Sequence, residues 1–281
     1  MNNFDDIFEP VKQNDEFDKE AWAAKKKAER DEVYALADAT AEEITADGGK
    51  FRDYLDVQAN FRHYSATNAL LILATKPDAR RLGDKDYWRD QGVYIKRQEF
   101  NRPIKIVESN GEYTRDDGTK AVLYNAKAVY DISETSAKDR QEAVEPKSMR
   151  ELVSAMIDAS PVPFQPVDSL ELPAFYDSEQ QTIFVRTDLN EEQLFVSMSK
   201  EVAAAVFDFK HNESRGDSEL KAYCVAYMVS SRYGVDTRGF RFHNLPKEYA
   251  EMETQDFKGE LGSMRDVLGE IQSDMYKSME K

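Results

Sequence analysis

Between Glu20 and Gln91 the apolar positions follow helical spacing. The stretch from Glu20 to Ile44 is rich in Ala, Lys and Glu, and Trp22, Val33, Leu36 and Ile44 fall loosely on one stripe. This predicts a helix with a weak apolar face, ended by Gly48–Gly49. A second helix is expected from Phe51 to Tyr64, with Tyr54, Leu55, Gln58 and Phe61–Arg62 at three- and four-residue steps. In YSATNALLILATKPDA, Ser65 or Thr67 can cap a helix carrying Ala69, Leu70, Ile72 and Leu73, and Pro77 stops it. Asp84 to Gln91 reads as a short amphipathic helix bearing Tyr87 and Trp88.

Beyond it the period changes to two. Pro103–Glu108 alternates, Asn110–Gly111 is a strong hairpin turn, and Lys120–Ile132 alternates again. Ser133 to Pro146 is polar and aperiodic, as a linker is. A helix over Ser148–Ala159 follows, and Pro161, Pro163 and Pro166 break the chain before a hairpin, AFYDSEQQTIFVRT, turning near Asp177–Gln180. Asn190 caps a long helix from Glu191 to Phe209, and a further helix runs from Asp217 to Tyr233, ended by Gly234. The tail from Lys247 to Lys281 is helical, with Met252, Phe257, Leu261, Met264, Val267, Leu268 and Ile271 as its apolar face.

The pattern predicts an α+β protein: helices with a small antiparallel sheet first, then a mainly helical part. The expected divisions are a flexible acidic arm (1–16), a first domain with its leading helix (17–135), a linker (136–147), a second domain (148–245) and a terminal helix (246–281). A chain of 281 residues is long enough for roughly two domains. No stretch approaches the ~20 consecutive apolar residues of a membrane helix. The opening MNNFDDIFEP is acidic and lacks the apolar segment of a signal peptide. A single cysteine, Cys224, fits a reducing cytosol, so a cytoplasmic location without membrane association is expected. With it, the three histidines His63, His211 and His243 make a poor set for a structural zinc site, and no cofactor is expected.

The net charge of −16 argues against indiscriminate binding of nucleic acid. Its distribution changes that picture. Residues 1–50 hold 14 acidic and 7 basic side chains, whereas residues 76–105 hold nine basic ones against five acidic. Lys76, Arg80, Arg81, Lys96, Arg97 and Arg102 interleave there with Tyr87, Trp88, Tyr94 and Phe100, and Tyr64 lies upstream. Cations that follow a phosphate backbone, alternating with flat side chains that stack on unpaired bases, are what a single strand requires. The alternative reading has the aromatics filling a core while the cations solvate its surface.

The same residues carry a resemblance. Tyr64, Ser65, Asn68, Pro77, Trp88, Gly92 and the closing Tyr130, Asp131, Ser133 and Thr135 resemble, in order and spacing, the N-terminal single-stranded-DNA-binding domain of ArdC-type antirestriction proteins of mobile elements. Two departures stand out: Thr75 where that family often has Gln, and RQEFNRP in place of a Gly-containing turn. The resemblance implies single-stranded DNA as partner, with Tyr64, Asn68, Lys76, Arg80, Arg81, Trp88, Lys96, Arg97 and Arg102 as its contacts.

The family often joins this domain to a zinc metallopeptidase domain with a His-Glu-x-x-His helix and a later acidic ligand before Val-Ala-Tyr. The frame is present in FYDSEQQTIFV, SMSKEVAAAVF and AYCVAYMVSSRYGVD. That chemistry needs two imidazoles one turn apart on one metal, with the glutamate activating its water. Here Lys200, Ala204 and Tyr223 stand at the three ligand positions and Glu201 alone keeps register. Two substitutes, His211 and Cys224, would have to arrive together in tetrahedral geometry. The expectation is a zincin-like helix without its metal, in which Glu201 pairs with Lys200 or faces solvent and Ala203–Ala205 lets a helix pack closely. Cys224, mid-helix beside Val225, is expected to be an inert buried thiol.

These readings converge on a non-enzymatic, antirestriction-like accessory protein that handles single-stranded DNA. The rival is a protein-interaction module that binds a host defence or DNA-processing protein through acidic surfaces. An active protease is a third reading, which the three ligand positions oppose. The acidic arm solubilises, or else mimics nucleic acid on the basic face.

Overall fold

The computed structural model describes residues 18–115, 117–137, 147–243, 245 and 247–280. The expected arm and most of the expected linker lie outside these residues.

Helix α1 (Lys19–Ala46) starts at Asp18, whose carboxylate accepts from the N–H groups of Glu20 and Ala21. Only Val33, Ala37, Thr40, Ala41 and Ile44 are buried, all in its second half. The weak stripe thus belongs to a helix whose first half packs little. Gly48–Gly49 do not separate two helices as expected. Asp47 ends α1 and caps α2 (Gly48–Asn60) by accepting from Gly49 and Lys50, so both glycines form the first turn of α2. Gly48 has a steric reason, because a Cβ there would lie 1.7 Å from the Phe242 carbonyl oxygen. In α3 (Ala66–Thr75) the cap is Ser65, whose Oγ accepts from Asn68 N–H. Asp84 caps the short α4 (Lys85–Asp90) through Tyr87 N–H.

Strands β1 (Leu82–Gly83), β2 (Ile104–Thr114) and β3 (Lys120–Asp131) form an antiparallel sheet ordered β1-β3-β2. The turn expected at Asn110–Gly111 is instead a bulge. Ser109 pairs with Tyr124 and Glu112 with Val122, so one extra residue is absorbed in β2 and Gly111 takes φ +87°. The reversal falls at Arg115–Thr119, where Asp117 accepts from Thr119 and Gly118 takes φ +82°. Pairing resumes through Tyr113–Ala121 and Thr114–Lys120, so the later turn gains ladder bonds that the earlier one would forfeit.

Helix α5 (Met149–Ala159) opens on a capping box between Ser148 and Glu151. It leads to a mixed sheet of β4 (Phe164–Val167), β5 (Ala174–Asp177) and β6 (Thr182–Arg186), ordered β4-β6-β5. β4 was not anticipated because prolines surround it. It is an edge strand, and since Pro163 and Val167 carbonyls accept from Ile183 and Thr187, Pro166 turns its donorless nitrogen away from β6. Helices α6 (Glu191–His211) and α7 (Arg215–Arg232) pack together, with Ala203, Ala204 and Ala205 at 3% exposure or less. The expected terminal helix is two pieces, α8 (Lys247–Glu251) and α9 (Thr254–Met279).

Buried residues from Val33 to Met275 form one apolar cluster. Polar ties cross it: Asp56 of α2 accepts from Tyr227 Oη at 2.8 Å and Ser231 Oγ at 3.1 Å, and Lys258 of α9 pairs with Asp38 of α1.

Candidate functional site

The basic segment wraps around the end of β3, and Asp131 is what it wraps on. One oxygen of this buried carboxylate accepts from Arg80 N–H at 2.7 Å and Arg81 N–H at 2.9 Å, and the other from Ser133 N–H at 2.9 Å. Burial alone would raise the Asp131 carboxyl, but these hydrogen bonds outweigh it and hold the group below the usual carboxylate range. A second attachment follows. Lys96 Nζ donates to the Ser133 carbonyl at 2.7 Å, Ile95 bridges to Thr135, and Tyr94 and Ser136 exchange hydrogen bonds. A third is Tyr130 Oη, which donates to the Phe100 carbonyl at 2.9 Å.

This anchoring leaves Tyr94 72% exposed and Phe100 47% exposed. Lys85 Nζ sits 3.7 Å from the centroid of the Phe100 ring. Arg81 donates to Tyr87 Oη and lies over the Tyr87 and Trp88 rings, while Arg97 and Arg102 are exposed in the turn that presents Phe100. Lys76 is half-buried against Asp78 and acts on the Glu134 carboxyl. Arg89 is offset by Asp86 and Asp90.

Three expected contacts are corrected. Trp88 is 1% exposed and its indole N–H donates to the Tyr130 carbonyl at 3.0 Å, so it is core and offers no face to a base. Asn68 is buried, with Nδ2 donating to the Val107 carbonyl at 2.9 Å and Oδ1 accepting from Val107 N–H at 2.8 Å. Its amide takes the place of a further strand at the edge of β2. Tyr64 is half-buried, edge-on to Phe61 and close to Lys127, Glu108 and Asp84. The exposed aromatics Tyr94 and Phe100, and Lys85, were among the interleaved residues but not among the expected contacts. Their only sequence signal was the turn-forming Gly92 and the Asn101–Pro103 stretch around them.

In the second half, Glu201 departs from expectation. Consecutive helical residues diverge by about 100°, so Lys200 and Glu201 do not meet. Lys200 Nζ goes to Glu219 at 3.1 Å. Glu201 is 3% exposed and takes Arg215 at two points, Nη1–Oε2 at 2.6 Å and Nη2–Oε1 at 3.2 Å. Tyr176 N–H donates to Glu201 Oε2 at 2.8 Å, and Arg215 Nη1 donates to the Tyr176 carbonyl at 3.2 Å. Arg186 N–H donates to the Pro173 carbonyl, which sets the parity of β5: Phe175 and Asp177 face β6, and Ala174 and Tyr176 face away. The ion pair therefore occupies the outer edge of β5 at Tyr176, as Asn68 does at Val107.

The ligand positions inherited from the resemblance do not fit a metal ion. Lys200 brings an ammonium bonded to Glu219, Ala204 a buried methyl, and Tyr223 a phenol oxygen that accepts from Arg241 N–H at 2.7 Å. Cys224 is buried and burial pushes its thiol far up, while His211 ends α6 beside Glu270. Among the described residues, no group of three or more His, Cys, Asp or Glu side chains is placed to hold a metal. No helix among them is long and apolar enough to cross a membrane.

In class, this is an α+β fold of the antirestriction kind: helices with a small antiparallel sheet, joined to a mixed sheet laid on a helix pair. In particular it is similar to the Mn(II)-bound crystal structure of the antirestriction protein ArdC from plasmid R388, with a TM-score of 0.53 at 12% identity over 77% of this chain and 85% of that one. The metal-free crystal structure of the same protein gives 0.47 at 13% identity, covering 77% and 84%. The likeness is one of fold. No family model matches the chain, and no curated protein matches it.

Proposed function

We propose that the chain is an antirestriction-like accessory protein of a mobile element that binds single-stranded DNA at the end of β3, and that its peptidase-like half is not catalytic. The observation that carries the DNA reading is the pairing of exposed rings with cations: Tyr94 and Phe100 stand out of the surface beside Lys85, Lys96, Arg97 and Arg102. Rings stack on bases of any sequence and cations follow the phosphates, so binding is sequence-tolerant. The many carboxylates elsewhere confine it to this face and repel duplexes that would lie across the molecule.

The non-catalytic reading is supported by Glu201. Both of its oxygens are held, one by Arg215 and Tyr176 and the other by Arg215, so no oxygen is left to take a proton from water. The fold likeness to a plasmid antirestriction protein supports the biological setting. The test is fluorescence anisotropy of a labelled oligonucleotide with the full chain over a range of salt. Binding that weakens with salt is expected, and no binding at low salt refutes the reading.

A further inference from the structure

A cleft runs along α6 opposite the basic face. Its outer part has a volume of about 560 Å³, and an inner recess of about 170 Å³ opens from it. Pro173, Val196, Ser197, Tyr223 and Phe240 line both, and Leu172, 46% exposed, stands at the rim. The walls are mainly apolar. The cations nearby are committed, Lys200 to Glu219, Arg186 to Asp188 and Arg238 to Asp236, so a phosphate or other anion has no receptor.

Ala174 lines the recess and shares the parity of Tyr176, so its N–H and C=O point away from β6. At Tyr176 the same outward groups are taken by Glu201 and Arg215. One residue of the edge is therefore open, and the next outward one is plugged.

We propose that this cleft binds a short extended polypeptide segment of a partner protein, which seats one bulky apolar side chain in the recess and pairs with the backbone of Ala174. Main-chain pairing at an open strand edge supplies the hydrogen bonds, and the recess supplies the side-chain choice. The plug at Tyr176 stops the segment there, so it must end or turn away after one paired residue. The site is separate from the DNA face and does not depend on it.

The test is a titration of the ¹⁵N-labelled full chain with the blocked tripeptide acetyl-Ala-Leu-Ala-amide, beside acetyl-Ala-Asp-Ala-amide. Saturable shifts at Ala174, Ser197, Tyr223 and Gly239 are expected with the leucine peptide only. Ser197→Arg, which fills the recess from a half-buried position, should weaken binding by about tenfold or more. Ala174→Pro removes the outward N–H without costing a bond to β6, and should do the same; melting curves accompany both variants. No saturable shift, equal shifts with both peptides, or full binding by a folded Ser197→Arg chain overturns the proposal. Full binding by folded Ala174→Pro overturns its strand-edge half.

Discussion

Arg215 Nη1 lies 2.6 Å from Glu201 Oε2, and the two side chains together hold both backbone groups of Tyr176. Truncating Arg215 leaves a carboxylate that is almost fully buried with no countercharge. Arg215→Ala is expected to cost about 3–5 kcal/mol, because an uncompensated buried charge is worse than none. Glu201→Gln keeps an acceptor for Tyr176 and should cost less. Urea unfolding of the two variants checks the order, and an Arg215→Ala chain as stable as the wild type contradicts it.

The aromatic residues of the basic segment should separate by function. Tyr94→Ala and Phe100→Ala are expected to weaken DNA binding by about 1–3 kcal/mol each, with melting nearly unchanged. Trp88→Ala should instead lose about 3–5 kcal/mol of stability through the cavity it leaves. Anisotropy beside a melting curve distinguishes them.

Charge removal at Lys96, Arg97 or Arg102 should weaken binding for all sequences alike. The logarithm of affinity is expected to fall with the logarithm of salt by roughly 0.7 per phosphate neutralised, and each variant should flatten that slope. A slope indifferent to these cations would place the DNA elsewhere.

Acid should act through Asp131. Its folded value is depressed, so the stability it contributes is present above the unfolded value of about 3.9 and is lost as pH falls through the folded one. Glu134 has the opposite sign: burial raises its folded value, so its contribution is present at low pH and fades as pH rises through that value. Asp131→Asn should lose about 1–3 kcal/mol near neutrality, and its deficit should narrow in acid. Unfolding across pH reads both effects.

Lys200→His combined with Ala204→His places two imidazoles one turn apart, but the Arg215 guanidinium still holds Glu201. No stoichiometric zinc or manganese is expected by elemental analysis. One metal ion per chain would show that the pocket still admits a cation.

Local signals in the sequence located much of this. The Ser65 cap with Pro77, the Asn190 cap, and the hairpin over 174–187 each depend on neighbouring residues, and each formed where expected. What could not be read depends on distant partners. Nothing near Glu201 reveals Arg215, fourteen positions on and on another helix. Trp88 on a six-residue helix could face either way, and Tyr130 decides it. At Asn110–Gly111 a good turn lost to a later one, because the choice rests on pairing further along both strands.

Asn68 has a consequence for how the protein behaves in a crowd. An unoccupied strand edge is a template for another copy, and β2 is the long edge of its sheet. By giving Val107 one donor and one acceptor, Asn68 imitates a neighbour that never propagates, and Lys105 adds a charge two residues away. Asn68→Val would free that edge. Its first symptom should be concentration-dependent fibrillar self-assembly, visible as rising light scattering before any loss of helical signal.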